Sequence, residues 1–346
     1  MTPPDPMPAR RAKGWTVVRL LATAIAVCLV GWFVVGSITR DARAVDRLSL
    51  TIQWDMVALS IPFLIASHAV LPLAWRRISR FFGYPLSYRS AAAILFVSNI
   101  ARYVPGRILT VLSQVTLSAR DAIPARVSLA TAIFYLLVTS WVAVEVSLLT
   151  FGLRPDTPRT GKAFAALALL GLLLLSTKTG LVARGPLARL VGSPGGGAVR
   201  GLRARDALLL HALLASMWVP LFIGIHLLLA GLASLPLHAS LWVTGTLATS
   251  WLVGFWLFLT PGGIGVREGV QMFLLGPLLP APLPALIPVV LRVWMTVGDL
   301  LVLGAGMVAR SRRLEAMPFP SANGGSGDSS DAGESPRAGG GPEERR

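Results

Sequence analysis

The sequence predicts an all-α polytopic membrane protein, with about six spanning helices and two broken helical hairpins arranged as an inverted repeat. Three observations carry this prediction. The chain is 54% hydrophobic and 14% charged, with a mean hydropathy of +0.66, whereas a soluble domain carries about 25% charged residues. Its apolar residues fall in runs of about 20, the length a helix needs to cross roughly 30 Å of hydrocarbon. Its charges sit in short clusters between those runs. The formal charge of +16, from 32 Lys and Arg against 16 Asp and Glu, therefore marks loops beside a membrane. A nucleic-acid surface needs a continuous basic stripe instead. The single cysteine, Cys28, excludes an internal disulfide framework and a multi-cysteine metal site. His68, His211, His226 and His238 share no metal-ligand spacing, and the sequence carries no cofactor motif.

A basic N-terminal segment, 1–14, precedes the first run, Trp15–Ile38. Arg10, Arg11 and Lys13 before it and Ala42-Arg43-Ala44 after it resemble a signal peptide. The run is longer than the roughly 7–15 residues of such a segment, so it reads as a span. The next spans are Trp54–Trp75, Pro124–Phe151, Lys162–Val182, Asp206–Leu232 and Leu283–Ala309. Placing the N-terminus in the cytoplasm puts eighteen basic residues on inside segments, including Arg76, Arg77, Arg80 and the cluster Lys178–Arg205. Six, among them Arg40, Arg43 and Arg154, fall outside. This excess sets both termini inside. The tail, 311–346, turns to Gly, Ser, Pro and acidic residues without an apolar face, and is expected to be disordered.

Two apolar regions are interrupted by sequence that a helix does not accept. Hairpin 88–118 is broken by Arg102-Tyr103-Val104-Pro105-Gly106-Arg107, leaving arms of about 14 residues, too short to span. Hairpin 239–279 is broken by Thr260-Pro261-Gly262-Gly263-Ile264-Gly265-Val266-Arg267-Glu268-Gly269. Proline removes a backbone donor and glycine permits a tight reversal. Such backbone is stable at membrane depth only inside protein or against a wet cavity. With the orientation above, the first hairpin enters from the cytoplasm and the second from outside. The chain then divides into a first repeat, 15–151, and a second repeat, 152–310, each reading span, span, hairpin, span with opposite polarity. Inverted repeats with broken helices are a transporter arrangement. The first arm of the second hairpin is long enough to span alone, so short full spans remain an equal reading there.

After each break a new helix starts with unpaired amides and partial positive charge. Such an end binds phosphate or carboxylate, and glycine lets the ligand approach the backbone. Arg102, Pro105, Gly106 and Arg107 at the first break form one candidate substrate site. Pro261, Gly262, Gly263, Gly265, Arg267 and Glu268 at the second form its counterpart. The arginine fork suits phosphate; Glu268 reads as neutralising its neighbour Arg267. The plainer alternative is that Pro-Gly only turns the chain while the arginines reach to headgroups. Arg292 and Asp299 lie two turns apart on one face of the last span, so Arg292 can complete an anion site. Asp299 can balance it or carry protons, and Glu145 is a second candidate for coupling or charge balance. The histidines within spans read as hydrogen bonders between helices.

These motifs resemble a known family. Asn99 with Arg102–Arg107, Pro261–Glu268 and Arg292 look like the signatures of the flippase-like membrane region named after lysylphosphatidylglycerol synthases. The resemblance covers about residues 15–310. It implies a helical bundle with re-entrant hairpins and lipid translocation across the bacterial cytoplasmic membrane. The phosphate headgroups of membrane lipids are then the partners, with envelope glycosyltransferases or lipid-modifying enzymes as associated proteins. Two departures stand out. The family often has a Glu-Arg pair where this chain reads Ala132-Ile133-Phe134-Tyr135. No segment after Ala309 reads as a soluble aminoacyl-transferase domain, so lysyl transfer and enzyme activity are not expected. Two other functions compete with transport. One is an accessory membrane subunit of an envelope glycan or lipid pathway. The other is a polyprenyl-pyrophosphate phosphatase, for which the breaks lack the nucleophile and acid–base groups.

Overall fold

The computed structural model describes residues 52–99, 101, 108–154, 157–176, 187, 191, 204–257, 263 and 265–315. The expected first span, the basic segment 1–14, the break Arg102–Arg107, Pro261, Gly262 and the tail after 315 lie outside the described residues. Within them the chain is helical, without strands. The elements are α1 (Trp54–Phe81), α2 (Tyr88–Asn99), α3 (Ile108–Ala119), α4 (Ala125–Gly152) and α5 (Arg159–Ser176), then α6 (Ala204–Ser216), α7 (Trp218–Ala233), α8 (Leu237–Trp256), α9 (Val266–Leu275) and α10 (Leu283–Glu315).

Four helices are long and apolar enough to cross a membrane: α1, α4, the continuous pair α6–α7, and α10 up to Val308. They fall on four of the expected spans. The break between α6 and α7 at Met217 keeps right-handed helical geometry. It arises because Pro220 lacks the amide that would bond Ser216 one turn back. Helix α1 continues to Phe81, beyond the expected end at Trp75, and α10 runs on to Glu315, past the expected tail boundary. Helix α5 covers most of the expected span Lys162–Val182.

The surface exposes large apolar side chains, and the mainly apolar interior also encloses polar and ionisable groups, a combination unlike that of a water-soluble fold. Leu59, Leu73, Leu167, Leu174 and Met307 are exposed, while Ser60, His68, Glu145, His211, Glu268, Gln271 and Asp299 are buried. On α10 the exposed Val293, Val297 and Leu300 follow helical spacing, with Leu291, Trp294 and Asp299 on the covered side. Lipid accepts the first set; the second finds partners only inside. Helix α4 is the most enclosed span, with 67% of its apolar window buried against 28–39% for the other three. It packs against α1, α3, α5, α6 and α8.

The interrupted regions form pairs of helices that pack on each other. Helices α2 and α3 have 12 residues each, about 18 Å and shorter than the expected arms. Helices α8 and α9 have 20 and 10 residues, so this hairpin is unequal, about 30 Å against 15 Å. The packing partners correspond between the two halves. Helix α1 packs on α2 as α7 does on α8, and α3 packs on α4 as α9 does on α10. Between halves, α10 lies along α2 and α4 lies along α8; α10 touches α1 and α4 touches α6. Helices α1 and α7 lie against each other at the junction.

Small residues make these contacts close, as suits helices whose attraction is mainly packing. At Gly224 a Cβ would sit 3.0 Å from the Trp294 ring and 3.1 Å from the Ser60 carbonyl. The Trp294 indole donates to Ser60 Oγ at 2.8 Å beside it. At Gly245 an added Cβ would fall 2.0 Å from Thr150 Oγ1 and 2.8 Å from its Cβ. Gly245→Ala is therefore expected to cost about 1–3 kcal/mol through overpacking of α4 against α8. Thermal unfolding in detergent should show a lowered Tm that Thr150→Ala partly restores. An unchanged Tm in Gly245→Ala would contradict this packing.

Candidate functional site

The second break is organised around α9 and α10. Gly263 and Gly265 have φ of +71° and +86°, a backbone that residues with a Cβ adopt only under strain. They bring the chain from α8 into the first turn of α9. There the Gly265 amide donates to Glu268 Oε2 at 2.7 Å, a capping bond made by the helix's own carboxylate. The other carboxylate oxygen, Oε1, lies 3.6 Å from Arg292 Nη1 on α10. Glu268 is 7% exposed. Its charge therefore rests on one backbone donor and one guanidinium, which offset desolvation.

This arrangement corrects the expectation that Glu268 neutralises Arg267. Neighbouring residues on a helix point about 100° apart, so Glu268 faces α10 while Arg267 faces α8. The Arg267 stem lies in a slot made by two glycines. A Cβ at Gly254 would come 2.6 Å from Arg267 Cγ, and one at Gly263 would come 2.9 Å from Nε. Further along α9, Gln271 Nε2 donates to Ser250 Oγ at 3.0 Å and ties the hairpin arms together inside the protein.

The first hairpin reaches α10 as well. Asn99, the last residue of α2 and three before Arg102, donates from Nδ2 to Asp299 Oδ1 at 2.9 Å. His68 Nε2 on α1 lies 3.5 Å from the same oxygen. Its Nδ1 is 2.8 Å from the Leu64 carbonyl, an acceptor only, so Nδ1 carries a proton. Asp299 thus serves Asn99 and His68, and Glu268 is an ion-pair partner of Arg292, a role for which the sequence offered Asp299 as one of two alternatives. Since Arg292 and Asp299 are seven residues apart, the attachments of the two hairpins lie about 10 Å from each other along α10.

Arg102, Pro105, Gly106, Arg107, Pro261 and Gly262 are outside the described residues. Of the others, Gly263, Gly265, Arg267, Glu268 and Arg292 come together around the start of α9. Glu145 lies elsewhere, bonded to His211 on α6. Sequence reasoning missed Gly254, the Asn99–Asp299 bond and both acid–histidine contacts. The Gly-rich spacing hints at a close approach, but pairings across two hundred residues leave no local signal.

An open apolar groove of about 420 Å³ lies along α9, lined by Gly269, Met272 and Phe273 of α9 and by Gly276, Ala281, Pro282, Pro284 and Ala285. Among the described residues, the groups with fixed charge near the start of α9 are Arg267, Arg292 and Glu268, joined by the partial positive charge of the helix end. A phosphate at the helix end would share the Gly265 amide and Arg292 with Glu268. Comparison with protein-family models, with curated proteins and with solved structures finds no match for this chain.

The Glu268–Arg292 pair has a measurable consequence. Glu268→Gln and Arg292→Gln should each destabilise the protein, by up to about 3 kcal/mol, through loss of this ion pair. The double substitution should lose less than the two losses added, with a coupling of roughly 0.5–3 kcal/mol in a double-mutant cycle. Strict additivity would mean that the two side chains do not meet.

Proposed function

We propose that this protein moves lipids with an anionic phosphate headgroup across the bacterial cytoplasmic membrane, as a flippase-like protein. The observation that carries this reading is the convergence of both interrupted helices on α10, through Asn99–Asp299 and Glu268–Arg292. A transporter built from inverted repeats brings its broken helices together near the middle of the bilayer. The matching packing partners of the two halves support the same arrangement. In this reading the arginines next to the breaks receive the headgroup. Arg267 is held in its glycine slot, Arg292 sits on α10, and Arg102 and Arg107 come from the first break. The apolar groove along α9 receives hydrocarbon while the headgroup passes.

A second reading has one observation in its favour. Glu268 already occupies the amide end that an incoming phosphate would use. A protein that keeps this place for its own carboxylate suits a non-transporting role, as an accessory subunit for an envelope glycosyltransferase or lipid-modifying enzyme. The two readings part on transport.

Purified protein in liposomes, with fluorescent phosphatidylglycerol or a labelled polyprenyl-phosphate sugar, separates them by the rate at which a membrane-impermeant quencher gains access to the lipid. Wild type is expected to equilibrate one of these lipids. Arg107→Ala and Arg267→Ala should slow it at least about tenfold, the loss of one charge-assisted phosphate contact. Equal rates in wild type and both variants would remove the site. Folded wild type that moves neither lipid would favour the accessory role.

A further inference from the structure

One buried ionisable pair takes no part in the hairpin site. Glu145 Oε2 on α4 is bonded to His211 Nε2 on α6. The two residues are 8% and 4% exposed. Their remaining polar atoms, Glu145 Oε1 and His211 Nδ1, are buried and bond no atom of the described protein. These are the atoms at which a pair already joined through Oε2 and Nε2 gains or loses a further proton. Buried polar atoms left dry are costly, a cost that an internal water relieves where there is room for one. With one proton on Nδ1 and one shared between Oε2 and Nε2, the pair is neutral as a unit. A proton added at Oε1, or lost from Nδ1, leaves a net charge in a low-dielectric interior, so any change needs access to water.

Among the described residues, the surrounding helices provide no other counter-charge. Among the described residues His211 is the sole ion-pair partner of Glu145. On α1, His68 faces Asp299 and Arg77 pairs with Asp206 of α6, while Asp55, Arg76 and Arg80 complete its charges. Helix α3 has no ionisable residue, and α5 has Arg159 and Lys162 in its first turn. His226 of α7 bonds Ser240, and His238 of α8 lies against Trp242. Helices α4 and α6 add Arg126, Tyr135 and Arg205. A second observation comes from the packing. The contacts α4 to α6 and α10 to α1 correspond between the halves, and each joins an acid on the first helix to a histidine on the second.

We propose that Glu145 and His211 form a buried proton-exchange site, served by an internal water, which takes up and releases a proton as α4 and α6 shift. It goes beyond the lipid-transport reading and stands without it. The test is infrared difference spectroscopy on the full-length protein in lipid nanodiscs, between about pH 5 and pH 9. Wild type should give carboxyl and imidazole bands that both Glu145→Gln and His211→Gln remove. Bands that survive either substitution, or a wild type without them, would overturn the proposal, because a purely structural hydrogen bond keeps its proton. If a variant fails to fold, wild type labelled with ¹³C-glutamate and ¹⁵N-histidine answers the question by solid-state NMR. A histidine nitrogen coupled to a glutamate carboxyl should change its shift with pH; a fixed shift overturns the proposal.

Discussion

The Glu268 carboxylate is the contact on which the arrangement of the second break depends. In hydrocarbon, neither a charged carboxylate nor a free helix amide is stable alone. Glu268 satisfies the Gly265 amide with one oxygen and Arg292 with the other. It thereby fixes the first turn of α9 and the approach of α10. Asp299 does the corresponding work for the first hairpin, holding the end of α2 through Asn99. Helix α10 is the common strut because its covered face presents both groups, while its other face, with Val293, Val297 and Leu300, meets lipid.

Glycine explains how so many helices approach closely without a water-driven core. Gly224, Gly245 and Gly254 lie where a neighbouring side chain or backbone leaves no room for a Cβ. Two of these contacts serve packing alone. The third, Gly254 with Gly263, makes a slot for the Arg267 stem and so joins packing to the chemistry of the site. A long cationic side chain beside a membrane interior usually bends toward water; here the slot directs it along α8.

Much of the fold was legible from hydropathy. The boundaries of α4 match the expected span Pro124–Phe151 within two residues, because Pro124 starts the helix and no breaker interrupts it. The unequal arms of the second hairpin were less legible. Gly254 lies inside α8, and only its contact with Arg267 tells that it marks a close approach, not a break. The partner of Glu268 was misjudged from adjacency, since residues next to each other in sequence diverge on a helix. The pairing of Glu145 with His211, 66 residues apart, had no local signature, and each read as an isolated polar residue in a span.

Composition and periodicity were enough for the membrane class, the spans and the two interruptions, because hydrocarbon tolerates only long apolar helices and penalises every breaker within them. These are one-dimensional constraints, written residue by residue. Which buried charge meets which partner was decided only when the helices packed. Asp299 finds Asn99 and His68, and Glu145 finds His211, because α10 and α4 each pack on elements from the other half of the chain; Arg292 finds Glu268 because α9 packs on α10. An ion pair needs its two atoms within a few ångströms, and that distance belongs to the crossing of helices.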